Sequence, residues 1–297
     1  MKKVLIIGRK DPGEKNDVAA LADGLNQHGP IQADYAYFEE LVLKIQTGKS
    51  SVEARVKDNK VLPSDYELII QIGWSHDKLY SDLAHAVAMV AEAMSVEVWN
   101  SELLNARSMT KVSQLVKVAS LGIDVPDTIF SLSKEFALED NFISYPLVAK
   151  DPKASRGRRN FLVGSREELE ELSKKPFPLI FQQYIENDSS DIRVITAAGK
   201  PALAFRRIGQ EGSHLNNTSA GARAEIMEDI PANLADKATK IAKRFSRELC
   251  GIDFMLDLKK NDYIFLEVNA TPQLVSGVFI DRKLAALAKA ITTQEEG

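Results

Sequence analysis

A single cysteine, Cys250, stands in 297 residues, so the chain can form no disulfide within itself and its stability has to come from packing. Cys250 follows Leu249 at the end of a helical pattern and reads as a small buried residue rather than a nucleophile. Long apolar runs are also missing. Nothing approaches the roughly 18 residues of a membrane span, and the amino-terminal MKKVLIIG has too short an apolar core for a signal peptide. The expectation is a cytoplasmic protein with no membrane contact. Neither sign of charge dominates: 38 basic residues against 42 acidic ones leave a net charge of -4, which argues against a nucleic-acid scaffold or a polybasic membrane binder. Any anion site must therefore be local. Repeats and low-complexity tracts are absent, and 44% hydrophobic residues over this length suffice for two or three packed lobes.

The first hundred residues alternate strand and helix. Lys3 to Gly8, Ala33 to Phe38, Glu67 to Gly73 and Val96 to Asn100 have strand character. Val18, Leu21, Ala22 and Leu25 mark a helix over Asp17 to His28, and Leu79, Leu83, Ala86, Val87, Val90 and Met94 mark a second. This pattern predicts a Rossmann-like α/β lobe with a largely parallel sheet. GRKDPG at Gly8 to Gly13 is not a GxGxxG fingerprint, so no dinucleotide is inferred. Loops at the carboxyl ends of the strands remain ligand candidates, with Trp74 and His76 among their residues, although ordinary connections explain them equally well.

Asn100 to Leu121 is expected to be helical up to Gly122. Tyr145 to Lys150 is a short strand ending in a lysine, followed by DPKASRGRRN and the strand Phe161 to Val163. The tip between those strands, which holds Arg156, Gly157, Arg158 and Arg159, suits a cover over phosphates, because backbone N–H groups and guanidiniums can both face the oxygens. A solvated loop is the alternative. Ser165 to Glu168 is a capping box opening a helix to about Lys174. Leu179 to Ile185 is a strand. Asp191 to Ala197 and Ala202 to Ile208 form a hairpin around Ala198-Gly199-Lys200-Pro201. Helices are expected over Ala232 to Leu249 and about Arg282 to Ile291.

Between those helices lies GIDFMLDLKKNDYIFLEVNATPQL, Gly251 to Leu274, a β-hairpin by its alternation. For Ile252, Phe254, Leu256 and Leu258 to share a face with Ile264, Leu266 and Val268, opposed residue numbers must sum to an even value. That favours a three-residue loop, Lys259-Lys260-Asn261, with Asn261 left-handed, and sets Asp253 opposite Glu267 with Asn269 pointing the same way. Three oxygen-bearing side chains without His or Cys form the ligand set of a hard cation such as Mg2+. The alternative is an amphipathic hairpin whose polar row faces water.

Taken in order, these stretches resemble the ATP-grasp carboxylate-amine ligases, and most closely the RimK-type amino-acid ligases. The resemblance rests on Asn100 to Thr128 with Lys111 and the turn Gly122-Ile123-Asp124-Val125-Pro126, on the Pro146 to Lys150 strand, on Gln182-Gln183-Tyr184-Ile185 with Asp191-Ile192-Arg193, and on Gly251-Ile252-Asp253 with Leu266 to Pro272. It implies an ATP-grasp fold of mixed α/β and α+β class: a Rossmann-like lobe over residues 1–100, then α+β lobes over 101–181 and 182–297 that clasp ATP.

The same resemblance implies roles. The hinge backbone from Gln182 to Ile185 would read adenine through one C=O and one N–H around Gln183 and Ile185, with Asp191 or Glu186 on the ribose. Lys111 and Lys150 would hold the α- and β-phosphates, under a loop containing Arg156 and Gly157. Asp253, Glu267 and Asn269 would hold Mg2+, or Mn2+ in its place, and Arg193 and Arg207 would sit by the transferring phosphoryl group. Arg206 should face away. The implied reaction activates a carboxylate as an acyl phosphate and joins it to the amine of an amino acid, so the expected partner is an amino acid, a peptide or a protein tail; the family often forms dimers or tetramers, but the sequence leaves open whether this chain is a homo-oligomer. Leu215 and Ala220 replace arginines usual in the family, and Gln273 replaces a glycine, which leaves a non-catalytic ATP-binding protein as the other reading.

Overall fold

The computed structural model describes residues 1–10, 17–47, 49–72, 78–101, 111–132, 142–152, 159–209, 223–270 and 272–293. Trp74, His76, Leu215 and Ala220 lie outside them, as do residues 102–110 of the helix expected from Asn100, and Asn100 itself is left-handed at φ 67 rather than helical.

The amino-terminal part comprises β1 (Lys2–Gly8), α1 (Val18–His28), β2 (Ile31–Tyr37), β3 (Val42–Gln46), β4 (Lys49–Val56), β5 (Asn59–Val61), β6 (Leu68–Gln71), α2 (Lys78–Ala93) and β7 (Glu97–Trp99). Strands β2-β1-β6-β7 form a sheet in that order, every pairing parallel. Such a sheet needs cover on both faces. Val4 and Ile6 point to α1, whose buried stripe is Val18, Leu21, Ala22 and Leu25, while Leu5 and Ile7 pack with Ala84, Val87 and Ala91 of α2. The antiparallel meander β3-β4-β5 was not expected from the sequence.

The middle part comprises α3 (Lys111–Ala119), β8 (Thr128–Phe130), β9 (Leu147–Lys150), β10 (Asn160–Val163), α4 (Arg166–Ser173) and β11 (Ile180–Gln183). Its antiparallel sheet runs β10-β9-β11-β8. Ser165 caps α4 by accepting the Glu168 N–H, and the Glu168 carboxylate accepts the Gly164 N–H at 2.7 Å.

The carboxyl-terminal part comprises β12 (Ser190–Ala197), β13 (Lys200–Ile208), β14 (Arg223–Met227), α5 (Ala232–Phe245), β15 (Cys250–Asp257), β16 (Asp262–Asn269) and α6 (Ile280–Thr293). The five strands form one antiparallel sheet in the order β14-β13-β12-β15-β16. The β12–β13 turn is the pair Ala198-Gly199, both left-handed at φ 52 and 71, which matches the twist of a two-residue hairpin. One sheet face packs Ile192, Val194, Ile252 and Phe254 against Leu234, Ala238 and Ile241 of α5. The other packs Ile195, Leu203 and Phe205 against Leu284, Leu287 and Ile291 of α6, in the same core as α1. That joint is close, since a Cβ on Gly24 of α1 would lie 2.7 Å from Leu284 Cδ1.

The hairpin β15–β16 departs from the expected register. Its loop has four residues, 258–261, so Asp257 faces Asp262 and Phe254 faces Phe265, an odd sum. Between Asp253 and Phe254 the register shifts, leaving Leu266 as the extra residue of a β-bulge, and from Asp253 opposite Glu267 onward the sum is even. Phe265 therefore takes the core position assigned to Leu266, edge-to-face with Phe254 at 6.4 Å. Asn261 is left-handed at φ 51, as expected.

Candidate active site

The buried end of the large sheet carries charge. Asp253 on β15 is 3% exposed and meets two arginines, one on the adjacent strand β12 and one on β13 beyond it. Cross-strand pairing sets Arg193 beside it, and that guanidinium binds it with two hydrogen bonds, Nε to Oδ1 at 2.7 Å and Nη2 to Oδ2 at 2.6 Å. From β13, Arg207 reaches Asp253 Oδ2 with Nη2 at 3.1 Å and donates from Nε to Asp191 Oδ1 at 2.5 Å. Burial works against the Asp253 charge, but Arg193 and then Arg207 outweigh it and hold the carboxyl well below the usual range. Asp191 moves the other way, to about 6, because burial dominates and the Asp253 charge adds to it, opposed by Arg207. Arg206 turns to the opposite side, where it binds Ser190 Oγ at 2.7 Å and Asp188.

On β16, Glu267 faces Asp253, and Asn269 donates from Nδ2 to Asp253 Oδ2 at 3.2 Å. Glu267 also accepts from Lys111 Nζ at 2.7 Å, which draws the first turn of α3 onto the sheet. Lys150, the last residue of β9, joins them. Burial first, and then the Lys111 ammonium, lower its pKa to about 8, with Glu267 opposing. The two sheets and the start of α3 thus present Lys150, Glu267, Asp253, Arg193, Arg207 and Lys111 to one region.

The hinge stretch is divided in its roles. Gln182 is 2% exposed and donates to Thr128 Oγ1 at 2.8 Å, so its side chain belongs to the sheet interior. The Gln183 N–H is held by the Asp127 carbonyl at 2.9 Å, and the Ile185 carbonyl by the Asn187 amide at 2.8 Å. Tyr184 lies between them, with its carbonyl facing the Gln183 amide at 3.4 Å. Glu186 is exposed, with Lys259 3.4 Å away. Arg156 and Gly157 lie outside the described residues. At the loop's far end Arg159 binds Asp151 at 2.8 Å and stacks on Phe177.

Two contributors were not recognised in the sequence. Gln114 on α3 donates to the Val268 carbonyl at 3.1 Å and accepts the Val268 N–H at 2.9 Å, acting as a strand partner for the edge β16 between Glu267 and Asn269. Lys283 on α6 is 2% exposed beside the arginines. A charged residue on the stripe Leu284, Leu287 and Ile291 was the available signal.

Among the described residues no cluster of three or more His, Cys, Asp or Glu could hold a metal. The candidate set is two carboxylates and an amide, all oxygen donors, side by side on a rigid hairpin, which fits a hard cation that keeps part of its water. Both Asp253 oxygens already face guanidiniums, and Glu267 faces an ammonium. Such a set suits an ion arriving with phosphate, since phosphate oxygens can take over the displaced cations.

A family model described as the RimK-like ATP-grasp domain matches residues 106–290. The chain is 29% identical over 238 residues to the alpha-aminoadipate--LysW ligase LysX of Sulfurisphaera tokodaii, covering 75% of this chain and 79% of the relative. It is 24% identical to the beta-citrylglutamate synthase B of Danio rerio, covering 81% of this chain and 60% of that relative. Among solved structures, the ATP-grasp ligase PsnB complexed with a phosphomimetic variant of its minimal precursor, Mg and ADP aligns with TM-score 0.67 at 18% identity over 97% of both chains. A RiPP-associated ATP-grasp ligase of Chryseobacterium gregarium, in complex with ADP and a leader and core peptide, aligns with TM-score 0.68 at 16% identity over 97% of this chain and 96% of that one. These two likenesses show the ATP-grasp fold. The chain belongs to the RimK-like ATP-grasp family of ligases.

Proposed function

We propose that the chain is an ATP- and Mg2+-dependent carboxylate-amine ligase that forms an amide bond by way of an acyl phosphate, with an amino acid as one substrate and an amino acid, peptide or protein tail as the other. The observation that carries this reading is the face-to-face pair Asp253 and Glu267, set among four cations, Arg193, Arg207, Lys111 and Lys150. Both steps of such a reaction build negative charge on oxygen, and cations gathered at the site in advance lower that barrier. Names of relatives, such as an α-aminoadipate ligase and probable α-L-glutamate ligases, support the amino-acid class.

Each residue has a share. Lys111 and Lys150 bind the α- and β-phosphates, and Lys150 regains its full charge as they approach. The Ile185 N–H, which has no intramolecular partner among the described residues, serves the adenine edge. Glu186 is the better ribose acceptor, because Asp191 is committed to Arg207. Asp253, Glu267 and Asn269 hold the metal, and Arg193 and Arg207 turn from Asp253 toward the transferring phosphoryl group. When bound, Mg2+ neutralises the charge between the phosphates. We assign residues 101–181 and 182–297 to the two clasping lobes and 1–100 to a lobe beside them.

The test is Mg2+-dependent ADP release by the purified protein with pooled amino acids and short acidic peptides, with Glu267→Ala alongside. Substrate-stimulated release lost in the variant supports the ligase. Nucleotide binding with no stimulated release from any pool would favour the non-catalytic binding protein.

A further inference from the structure

Lys283 lies in the first turn of α6, the end of a helix where a cation is disfavoured by the backbone dipole. Its ammonium donates to the carbonyls of Gln273 and Ser276, the second at 2.7 Å, tying the chain that leaves β16 to the start of the helix. An ammonium carries three N–H groups, and these two carbonyls take two of them. No carboxylate among the described residues pairs with it; Arg193 is the charged group that bears on it, and that charge repels. Desolvating a lysine without a counter-ion is costly, so its retention here calls for an anion that the described chain does not supply.

The space in front of it has a defined shape. A narrow pocket with about 10 Å³ of free volume, enough for one water-sized group, lies between Lys283, Gln273, Ser276, Arg193 and Arg207, with Phe205 on its wall. Of the cations lining it, Arg193 and Arg207 already carry the carboxylates of Asp253 and Asp191, whereas Lys283 carries none, and its third N–H has no partner among the described residues. A pocket of that size admits the oxygen end of a carboxylate and excludes a bulky side chain.

We propose that Lys283 is a specificity-determining residue: it binds a second carboxylate of the acid substrate, distinct from the carboxylate that is activated beside Arg193 and Arg207, and so selects dicarboxylic acids or acidic peptide termini over monocarboxylic ones. For the identity of the activated group this rests on the ligase reading; for binding it does not.

The experiment uses the full chain with Mg-ATP and the amine pool. It compares L-glutamate with L-2-aminobutyrate, which differ by one carboxylate, and short peptides ending in each, so that a free acid and a peptide terminus are told apart. Lys283→Gln keeps two N–H donors for the carbonyls and removes the charge, and Lys283→Arg restores charge. The wild type should prefer the glutamate member roughly ten- to hundredfold in kcat/KM, as a charge-assisted hydrogen bond allows. Lys283→Gln should lose that preference through KM for the acid with KM for ATP unchanged, and Lys283→Arg should regain part of it. Equal use of both members by the wild type, or a preference kept in Lys283→Gln, overturns the proposal. If no acid stimulates ADP release, the ligase reading fails. Calorimetric binding of L-glutamate to the Mg-AMPPNP complex then decides: binding by the wild type that is lost in Lys283→Gln upholds the subsite, and no binding by the wild type overturns it.

Discussion

Phe265 and Glu267 are two residues apart on one strand yet point to opposite faces of the sheet, Phe265 into the α5 core and Glu267 toward Asp253. An unbroken strand would send both the same way. The bulge at Leu266 reconciles an aromatic core with a paired acidic site. Phe254→Ala should therefore cost about 3–5 kcal/mol by opening a cavity against Phe265, while Leu266→Ala, at a partly exposed bulge position, should cost under about 1 kcal/mol. Urea denaturation of the two variants checks this, and a Leu266 variant as unstable as the Phe254 one would count against the register described.

The two acidic residues should fail differently. Asp253→Asn leaves Arg193 and Arg207 buried without their shared charge, so it should lose about 3–5 kcal/mol of stability as well as turnover. Glu267 and its partner Lys111 keep 30% and 23% of their side chains exposed, so Glu267→Ala should abolish turnover while melting within a few degrees of the wild type. Melting curves beside ADP release separate these outcomes, and an active, folded Glu267→Ala would refute the metal assignment.

Magnesium alone should bind poorly, because both oxygens of Asp253 are held by guanidiniums. Titration calorimetry should show saturable Mg2+ binding only after ADP or AMPPNP is added. Tight binding to the nucleotide-free protein would mean that the arginines do not close the site.

Lys150 and Lys283 both release a proton near pH 8, against an ordinary lysine value of 10.5. Burial is the main cause in each. With the folded pKa depressed, the unfolded chain binds more protons between about pH 8 and 10.5, so this contribution makes stability rise with pH across that window, and the cost of each charge is fully present below it. Lys150→Met should melt higher than the wild type at pH 7.5, and the gap should close toward pH 10. Binding of ADP at pH 8.5 should take up protons as phosphate restores the Lys150 charge, measurable by calorimetry in buffers of different ionisation heat.

The strands and helices legible in the sequence are those with a strong one-sided period, such as α1 with Val18, Leu21, Ala22 and Leu25. The β3-β4-β5 meander escaped because its buried row, Val52, Ala54 and Val56, lies on β4, while the flanking β3 leaves Val42 51% and Ile45 75% exposed and so gives little period of its own. Parity reasoning on the β15–β16 hairpin reached the right pairing at Asp253 and Glu267 through the wrong turn, since side-chain alternation cannot reveal an unpaired residue. Gln114 and Lys283 were missed for a shared reason. Both bind backbone carbonyls supplied by other segments of the chain, and a carbonyl leaves no mark in a sequence.

Helix α6 belongs to two neighbourhoods at once. Its first turn holds Lys283 at the charged face, while Leu284 meets Gly24 of α1 and Leu287 and Ile291 share the core of the amino-terminal sheet. The heritable unit is consequently discontinuous. A chimera that exchanges residues 1–100 between relatives leaves α6 facing a foreign α1, and the misfit is transmitted along one rigid rod to the pocket. Grafting 280–293 together with the first hundred residues keeps that joint matched, so recombination in this lineage should favour breakpoints that move both ends of the chain as one.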